Sequence, residues 1–237
     1  MEYPGPLVEA VLLRRYKRFL ADVQWADGRV ETVHCPNSGS MTGCWEPGAP
    51  CRLLHSSKKT RKLPWTLEQV QVAGTWINIH SARANAVVEE AVRQGRVCAF
   101  ERPSRVERER PYPGGGRVDL LLHYDDGPRR FVEVKSVTLA DGGRGRFPDA
   151  VSTRATRHLQ RLKEVVEAGD RATLVFLTGR GDVGSVEAAA DIDPVYAAAL
   201  SEVAGAGVQV VAYGCDVGCD SLVLTEPLPV RGVPALR

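Results

Sequence analysis

The spacing of apolar residues along this chain changes near residue 83, and that change dictates two different folding units. Up to that point short β-forming runs occupy residues 8–25, 29–34, 51–56, 67–72 and 75–80, with turn signals between them. Ala26-Asp27-Gly28 is a three-residue loop ending in glycine, the residue that accepts the left-handed conformation such hairpins need. Beyond residue 83 helical and strand patterns alternate. Asn85 reads as the cap of a helix over 86–94, closed by Gly95. Strands follow at 117–124 and 128–138. A glycine-rich loop at 141–146 leads to a long helix over about 152–168, closed by Gly169. Residues 171–178 are continuously apolar, the mark of a strand buried on both faces. Asp193-Pro194 caps and opens a third helix running through Val203, and strands at 208–213 and 221–225 finish the pattern.

Short strands at the first spacing predict a small OB-like β-barrel over residues 1–82. The second pattern predicts an α/β domain over 83–237, with a central mixed sheet flanked by helices. Hydrophobic residues make up 43% of the 237, ample for packed cores and incompatible with disorder. Apolar runs are far too short to span a bilayer. The first, residues 10–13, runs directly into Arg14 and Arg15, unlike a signal peptide. A soluble cytoplasmic protein with no membrane partner is expected. The six cysteines lack C-x-x-C spacing and are expected to be reduced, partly buried thiols.

The net charge of +2 conceals an asymmetry. Residues 1–82 carry +3, residues 83–163 carry +6 and residues 164–237 carry −7. Of 31 basic residues 25 are arginine, which favours bidentate contact with phosphate or carboxylate. A basic body of this kind suits a polyanionic partner.

The candidate chemistry lies in residues 117–137. Asp125-Asp126-Gly127 is again a three-residue hairpin loop. If Tyr124 pairs with Pro128, Asp119 pairs with Glu133, and alternation adds Lys135 to that face. Val118, Leu120, Leu122, Val132 and Val134 then point into the core. Two close carboxylates repel unless a proton or cation sits between them. A hard divalent cation, Mg2+ or Mn2+, is the natural solution, with the Val134 carbonyl as a further ligand. Lys135 is placed to orient or deprotonate a bound water. This is the Asp…Glu-x-Lys arrangement of the PD-(D/E)xK nuclease fold, which the segment resembles. Glu89 or Glu90 on the preceding helix would supply another acid. The competing reading is a salt-bridge ladder on a solvated strand face.

Two sets of basic residues complete the picture. Arg154, Arg157, His158 and Arg161 lie opposite a core stripe of Ala155, Leu159, Leu162 and Val166, giving a face suited to a phosphate backbone. Arg14, Tyr16 and Arg18 would share one face of a barrel strand, where an aromatic stacks a base and arginines hold phosphates. Lys58, Lys59, Arg61 and Lys62 form a second basic run, read as a loop.

Residues 15–23 (RYKRFLADV), 34–43 (HCPNSGSMTG), 131–139 (FVEVKSVTL) and 147–151 (FPDAV) are similar to the sugar fermentation stimulation protein family, in that order. The similarity runs over nearly the whole chain. It implies an N-terminal OB-like barrel followed by a nuclease-like domain, DNA binding and a regulatory role in sugar metabolism. Asp119, Glu133 and Lys135 fall on the family's Asp and Glu-x-Lys positions, and its helical acid falls on Glu90. The chain departs from the family at Thr153 and Thr156, where glutamate and glutamine are usual. The resulting expectation is a DNA-binding protein, largely independent of sequence, with a nuclease-like metal site. The alternatives are a Mg-dependent nuclease cleaving DNA or RNA, and a pure regulator whose carboxylates are structural.

Overall fold

The computed structural model describes residues 1–112 and 115–233. Six strands come first: β1 (Leu7–Tyr16), β2 (Leu20–Gln24), β3 (Val30–His34), β4 (Ala49–His55), β5 (Trp65–Val72) and β6 (Thr75–Asn78). Their order is β3-β2-β1-β4-β5-β6, and a parallel contact between His34 and Thr66 joins β3 to β5 and closes the OB-type barrel. β1 is long enough to serve two neighbours. Its first half pairs with β4 and its second with β2, and a register shift between Leu12 and Arg14 bends it from one to the other. Leu12, Val23, Val33, Leu53, Leu67 and Ile77 fill the interior and are fully buried.

The run over residues 8–25 is two strands rather than one. Lys17 (φ 49°) and Arg18 (φ 64°) turn the chain in the left-handed region without a glycine to announce it.

The second unit begins at α1 (Ala82–Arg93) and continues through β7 (Arg105–Pro111), β8 (Arg117–His123) and β9 (Arg130–Val137). Next come β10 (Leu139–Asp141), β11 (Arg144–Phe147), α2 (Thr153–Glu167) and β12 (Arg171–Thr178). The chain ends with β13 (Ser185–Ala188), α3 (Pro194–Gly205), β14 (Gln209–Val217), β15 (Leu222–Leu228) and β16 (Val230–Arg231). The main sheet has the order β15-β14-β12-β9-β8-β7, with β9, β12 and β14 mutually parallel and the other pairs antiparallel. α1 packs on one face, over Leu120, Leu122, Val132 and Val175. α2 and α3 pack on the other, over Leu121, Phe131, Leu174 and Phe176. β9 is therefore covered on both sides along residues 131–134.

Two further expectations need correction. Asn85 does not cap α1; Ser81 holds that position and the helix starts three residues before Asn85. The 141–146 stretch is not a loop but a tight hairpin, β10 turning through Gly142 and Gly143 into β11. That hairpin belongs to a small separate sheet, β10-β11-β13-β16. Residues 105–111, too polar to read as a strand, form the edge strand β7, where charge on an exposed edge deters pairing with another chain. The second helix spans the expected stretch, and Ser152 caps it, its side chain accepting from the Ala155 N–H.

The two units are bonded together. The Asn78 N–H donates to the Gly179 carbonyl at 2.7 Å, and the Gln69 side chain donates to the Gly218 carbonyl at 2.7 Å. The barrel loop carrying Gly39 and Ser40 meets Asp149, whose carboxylate accepts from the Met41 N–H at 3.1 Å. No helix among the described residues is long and apolar enough to cross a membrane. All six cysteines are free thiols, with only Cys98 and Cys219 exposed.

Candidate site in the cleft between barrel and sheet

The hairpin of β8 and β9 has the register read from its loop: Leu120 opposes Val132, Leu121 opposes Phe131 and Leu122 opposes Arg130. The ladder ends at Leu120. Past that point β8 no longer follows strict alternation. Val118 packs with Tyr112 and Phe131 under α2 and α3 instead of joining Leu120 and Leu122. On the other side of β8, the β7 ladder skips the position of Glu109, whose φ is 51°. Released from both neighbours, Asp119 reaches across to β9 and α1. Its Oδ2 accepts from the Val134 N–H at 2.8 Å and its Oδ1 from Asn85 Nδ2 at 2.7 Å.

Glu133 stands on β9 with 2% of its surface exposed. Its Oε1 accepts from Lys135 Nζ at 2.6 Å and pairs with His158 Nδ1; its Oε2 accepts from Tyr112 OH at 3.3 Å. Burial pushes the Glu133 carboxyl up, but the hydrogen bonds and charge of His158 and Lys135 outweigh it and hold the group below the usual carboxylate range. Asp119 has no cation so close. Burial, and then the charge of Glu133, push its carboxyl up to about 6. The same burial and the two carboxylates raise the Tyr112 phenol well above its ordinary value, so it remains a donor.

The expected convergence of Asp119, Glu133 and Lys135 is present, with His158 added from α2. The ligands expected for a metal, Asp119, Glu133 and the Val134 carbonyl, are all oxygen, which suits a hard cation. An extended residue sends its N–H and C=O to the same side, so the Val134 carbonyl leaves β9 on the edge where Asp119 sits, past the last β8–β9 pair. Among the described residues no three His, Cys, Asp or Glu side chains are arranged to hold a metal ion by themselves, so a cation held here would complete its shell with water or ligand oxygens.

Glu90 is not part of this group, which corrects the expected helical acid. Its carboxylate binds the Met1 ammonium at 2.5 Å and Arg96 at 3.7 Å. Glu89 pairs with Arg93 and Arg108. On α1 these acids face away from the cleft, and the residue that does face Asp119 is Asn85.

The carboxylates lie in a cleft of about 1340 Å³ between barrel and sheet. Arg154, Arg157, His158 and Arg161 line it, as α2's polar face predicts, together with Arg117 and Arg146. Thr153 and Thr156 do not line it. From the barrel come Arg18 and Arg15. Arg15 carries the same charge signal as its neighbours, but its side chain points to the loop and donates to the Asn37 and Gly39 carbonyls at 2.8 Å. Arg14 and Tyr16 do not share a binding face with Arg18. Arg14 pairs with Asp22 at 2.7 Å, Tyr16 OH bonds the same carboxylate at 3.0 Å, and the strand ends before Arg18. Lys58, Lys59, Arg61 and Lys62 lie in the β4–β5 loop and do not line the cleft. Asn85, Tyr112 and Glu109 were not singled out from sequence; Asn85 carried only a helix-cap signal, and no local pattern marks the other two.

Comparison with known proteins settles the lineage. A family model described as the SfsA N-terminal OB domain matches residues 13–79, and one described as the sugar fermentation stimulation protein RE domain matches residues 82–221. The chain belongs to the sugar fermentation stimulation protein family. A sugar fermentation stimulation protein homolog of Acidithiobacillus ferrooxidans is 47% identical over 94% of this chain and 97% of its own length. One from Geobacter sulfurreducens is 46% identical over 97% and 98%. Among solved structures, Pyrococcus furiosus SfsA in complex with Ca2+ superposes with a TM-score of 0.86 at 26% identity, covering 98% of both chains. The family's two parts, an OB domain and a nuclease-like domain, are those of a nucleic-acid-binding protein, and the cleft described above runs between them.

Proposed function

We propose that the protein binds DNA in this cleft, largely without regard to sequence, and holds Mg2+ or Mn2+ between Asp119 and Glu133. The observation that carries the reading is the pair of mutually repelling carboxylates at an arginine-lined cleft wall, one of them pushed up to about 6 by burial and by the other's charge. A dication on Asp119, Glu133 and the Val134 carbonyl would relieve that repulsion, polarise a phosphate oxygen and lower the pKa of water beside it. A relative's complex with Ca2+, another oxygen-seeking cation, supports the choice.

The chain's own residues have separable tasks. Asn85 and the Val134 N–H fix the two oxygens of Asp119. Tyr112, Lys135 and His158 fix Glu133. Lys135, between Glu133 and His158, is also placed to orient a water or meet phosphate charge. The arginines of α2 and the barrel turn hold backbone phosphates, contacts that position a nucleic acid without reading its bases. Cleavage of phosphodiesters is the second reading, favoured by the Glu133–Lys135–His158 contact, which a simple binding surface does not require.

The test combines binding and turnover. DNA affinity is expected to fall steeply with salt. Manganese binding by calorimetry is expected in the wild type and lost in Glu133→Gln. Lys135→Ala should leave metal binding intact, and any cleavage should drop about a hundredfold or more. Equal manganese binding by wild type and Glu133→Gln would remove the metal site. Absence of metal-dependent cleavage on all nucleic acids would leave binding alone.

A further inference from the structure

We propose that the cleft receives the end of a nucleic-acid strand and not an internal stretch, because the barrel's β3–β4 loop (residues 35–48) closes it on one side. This rests on the DNA-binding reading of the cleft and adds to it the form of the substrate. The loop is bonded to the second unit at three places. Next to α1, the Asn37 side chain donates to the Ile79 carbonyl at 2.9 Å. At the floor, Cys44 Sγ donates to the Thr138 carbonyl at 3.4 Å, just past the end of β9. Ahead of α2, Ser40 Oγ donates to the Asp149 carbonyl at 2.8 Å, and the Met41 N–H donates to the Asp149 carboxylate at 3.1 Å. Gly39 approaches Asp149 too closely for any side chain to stand between them.

Both sides of this seam line the cleft: Asn37, Gly39 and Ser40 from the barrel, Thr138 and Asp149 from the second unit. The wall continues into the barrel itself. Arg15 Nη2 donates to the Asn37 and Gly39 carbonyls at 2.8 Å and to the Arg18 carbonyl at 3.0 Å, which ties the β1–β2 turn to the loop. A strand following the cleft therefore meets bonded backbone from the floor at Thr138 to the turn at Arg18. Charge agrees with a stop. From Cys35 to Gly48 the loop carries one charged residue, Glu46, so a phosphate backbone crossing it finds no cation to replace its counterions. Arg146, three residues before Asp149, is occupied by Asp191 and Glu187. Arg154 and Arg157, by contrast, line the cleft from α2 with no carboxylate partner among the described residues. From Glu133 to Thr138 the extended chain covers about 17 Å, room for at most about five nucleotides stacked at about 3.4 Å each. The strand's end is thus held within a few nucleotides of the two carboxylates.

Competition measured by fluorescence anisotropy tests this. A labelled linear DNA is displaced by unlabelled linear strands or by covalently closed circles of the same sequence and length, as single strands and as duplexes. Ca2+ is present, and denaturing gels check that the strands stay whole. Circles should compete about tenfold or more weakly, since a strand without an end cannot reach the carboxylates and the α2 arginines together. Blocking both termini of the linear strand with streptavidin should have the same effect. Circles that compete as well as linear strands overturn the closed end. Ser40→Ala/Asp149→Ala frees the loop ahead of α2 and should cut the difference to about threefold or less, whatever the variant's absolute affinity. Full discrimination in that variant, with wild-type circular dichroism, overturns the loop as the stop; if the variant does not fold, the wild-type comparison decides alone. If Arg154→Ala/Arg157→Ala binds linear strands as the wild type does, the cleft reading fails and the closed end with it. If that variant binds more weakly while circles and linear strands compete alike, the cleft stands as an open passage and the need for an end is overturned.

Discussion

Asp119 shows what a buried carboxylate costs the fold. Its folded carboxyl titrates at about 6, above an ordinary value of 3.8, because burial and then Glu133 oppose its charge. Protonation therefore favours the folded state. That contribution is complete below about pH 4 and disappears as pH rises through about 6. Asp119→Asn is thus expected to stabilise the metal-free protein at pH 8 by up to about 3 kcal/mol, and the gain should shrink towards pH 4. Thermal unfolding with chelator at both pH values measures it, and a variant less stable than wild type at pH 8 contradicts the account. At this scale the sequence was partly legible. The loop length at Gly127 set the register as far as Leu120, but the break in the ladder beyond it, which lets Asp119 reach Val134 and Asn85, was invisible. Asn85 looks like a helix cap because short polar side chains serve both purposes, and only the placement of α1 over the end of β8 decides between them. Glu90 followed from a family pattern, but the helix turns that position towards the Met1 ammonium and Arg96.

Elements were legible where one local rule acts alone. α2 has a serine cap, a core stripe and Gly169 beyond its end, and it forms within a residue of each expected boundary. β7 was missed because an edge strand is shaped by its neighbour and by exclusion of other chains, not by an apolar alternation of its own. The β1–β2 turn was missed because Lys17 and Arg18 take a conformation that glycine or asparagine usually marks. α2 also carries the most direct test of an element's role. It presents Arg154 and Arg157 to the cleft while Leu159 and Leu162 anchor it beneath. Replacing both arginines by alanine removes two phosphate contacts and touches no core residue. The slope of log affinity for duplex DNA against log salt should fall by about 2, at about 0.9 per contact. Helix content by circular dichroism should not change. An unaltered slope would mean that the α2 face is merely solvated.

At the scale of the whole molecule, the cleft exists only because the barrel is seated on the second unit, and no pattern in the sequence reports that seating. It depends on close approach at a few points. Gly39 is one: a Cβ there would lie 2.5 Å from one Asp149 carboxylate oxygen and 3.0 Å from the other. Asp149 has little freedom to yield, because its carboxylate accepts from Ser40 Oγ and the Met41 N–H, both at 3.1 Å. In Gly39→Val either the barrel loop withdraws or Asp149 swings away, and both movements break these bonds. The cost is about 2 kcal/mol, the scale of one or two hydrogen bonds to a charged group, and denaturant unfolding reads it. Asp119 and Glu133 are held by partners within the second unit, so manganese binding should persist. Arg15 and Arg18 enter the cleft from the barrel side, and their displacement should weaken DNA binding about tenfold at moderate salt. Loss of DNA affinity with metal binding retained would show that the barrel forms one wall of the binding site. Wild-type affinity in Gly39→Val would show instead that the second unit binds DNA without it.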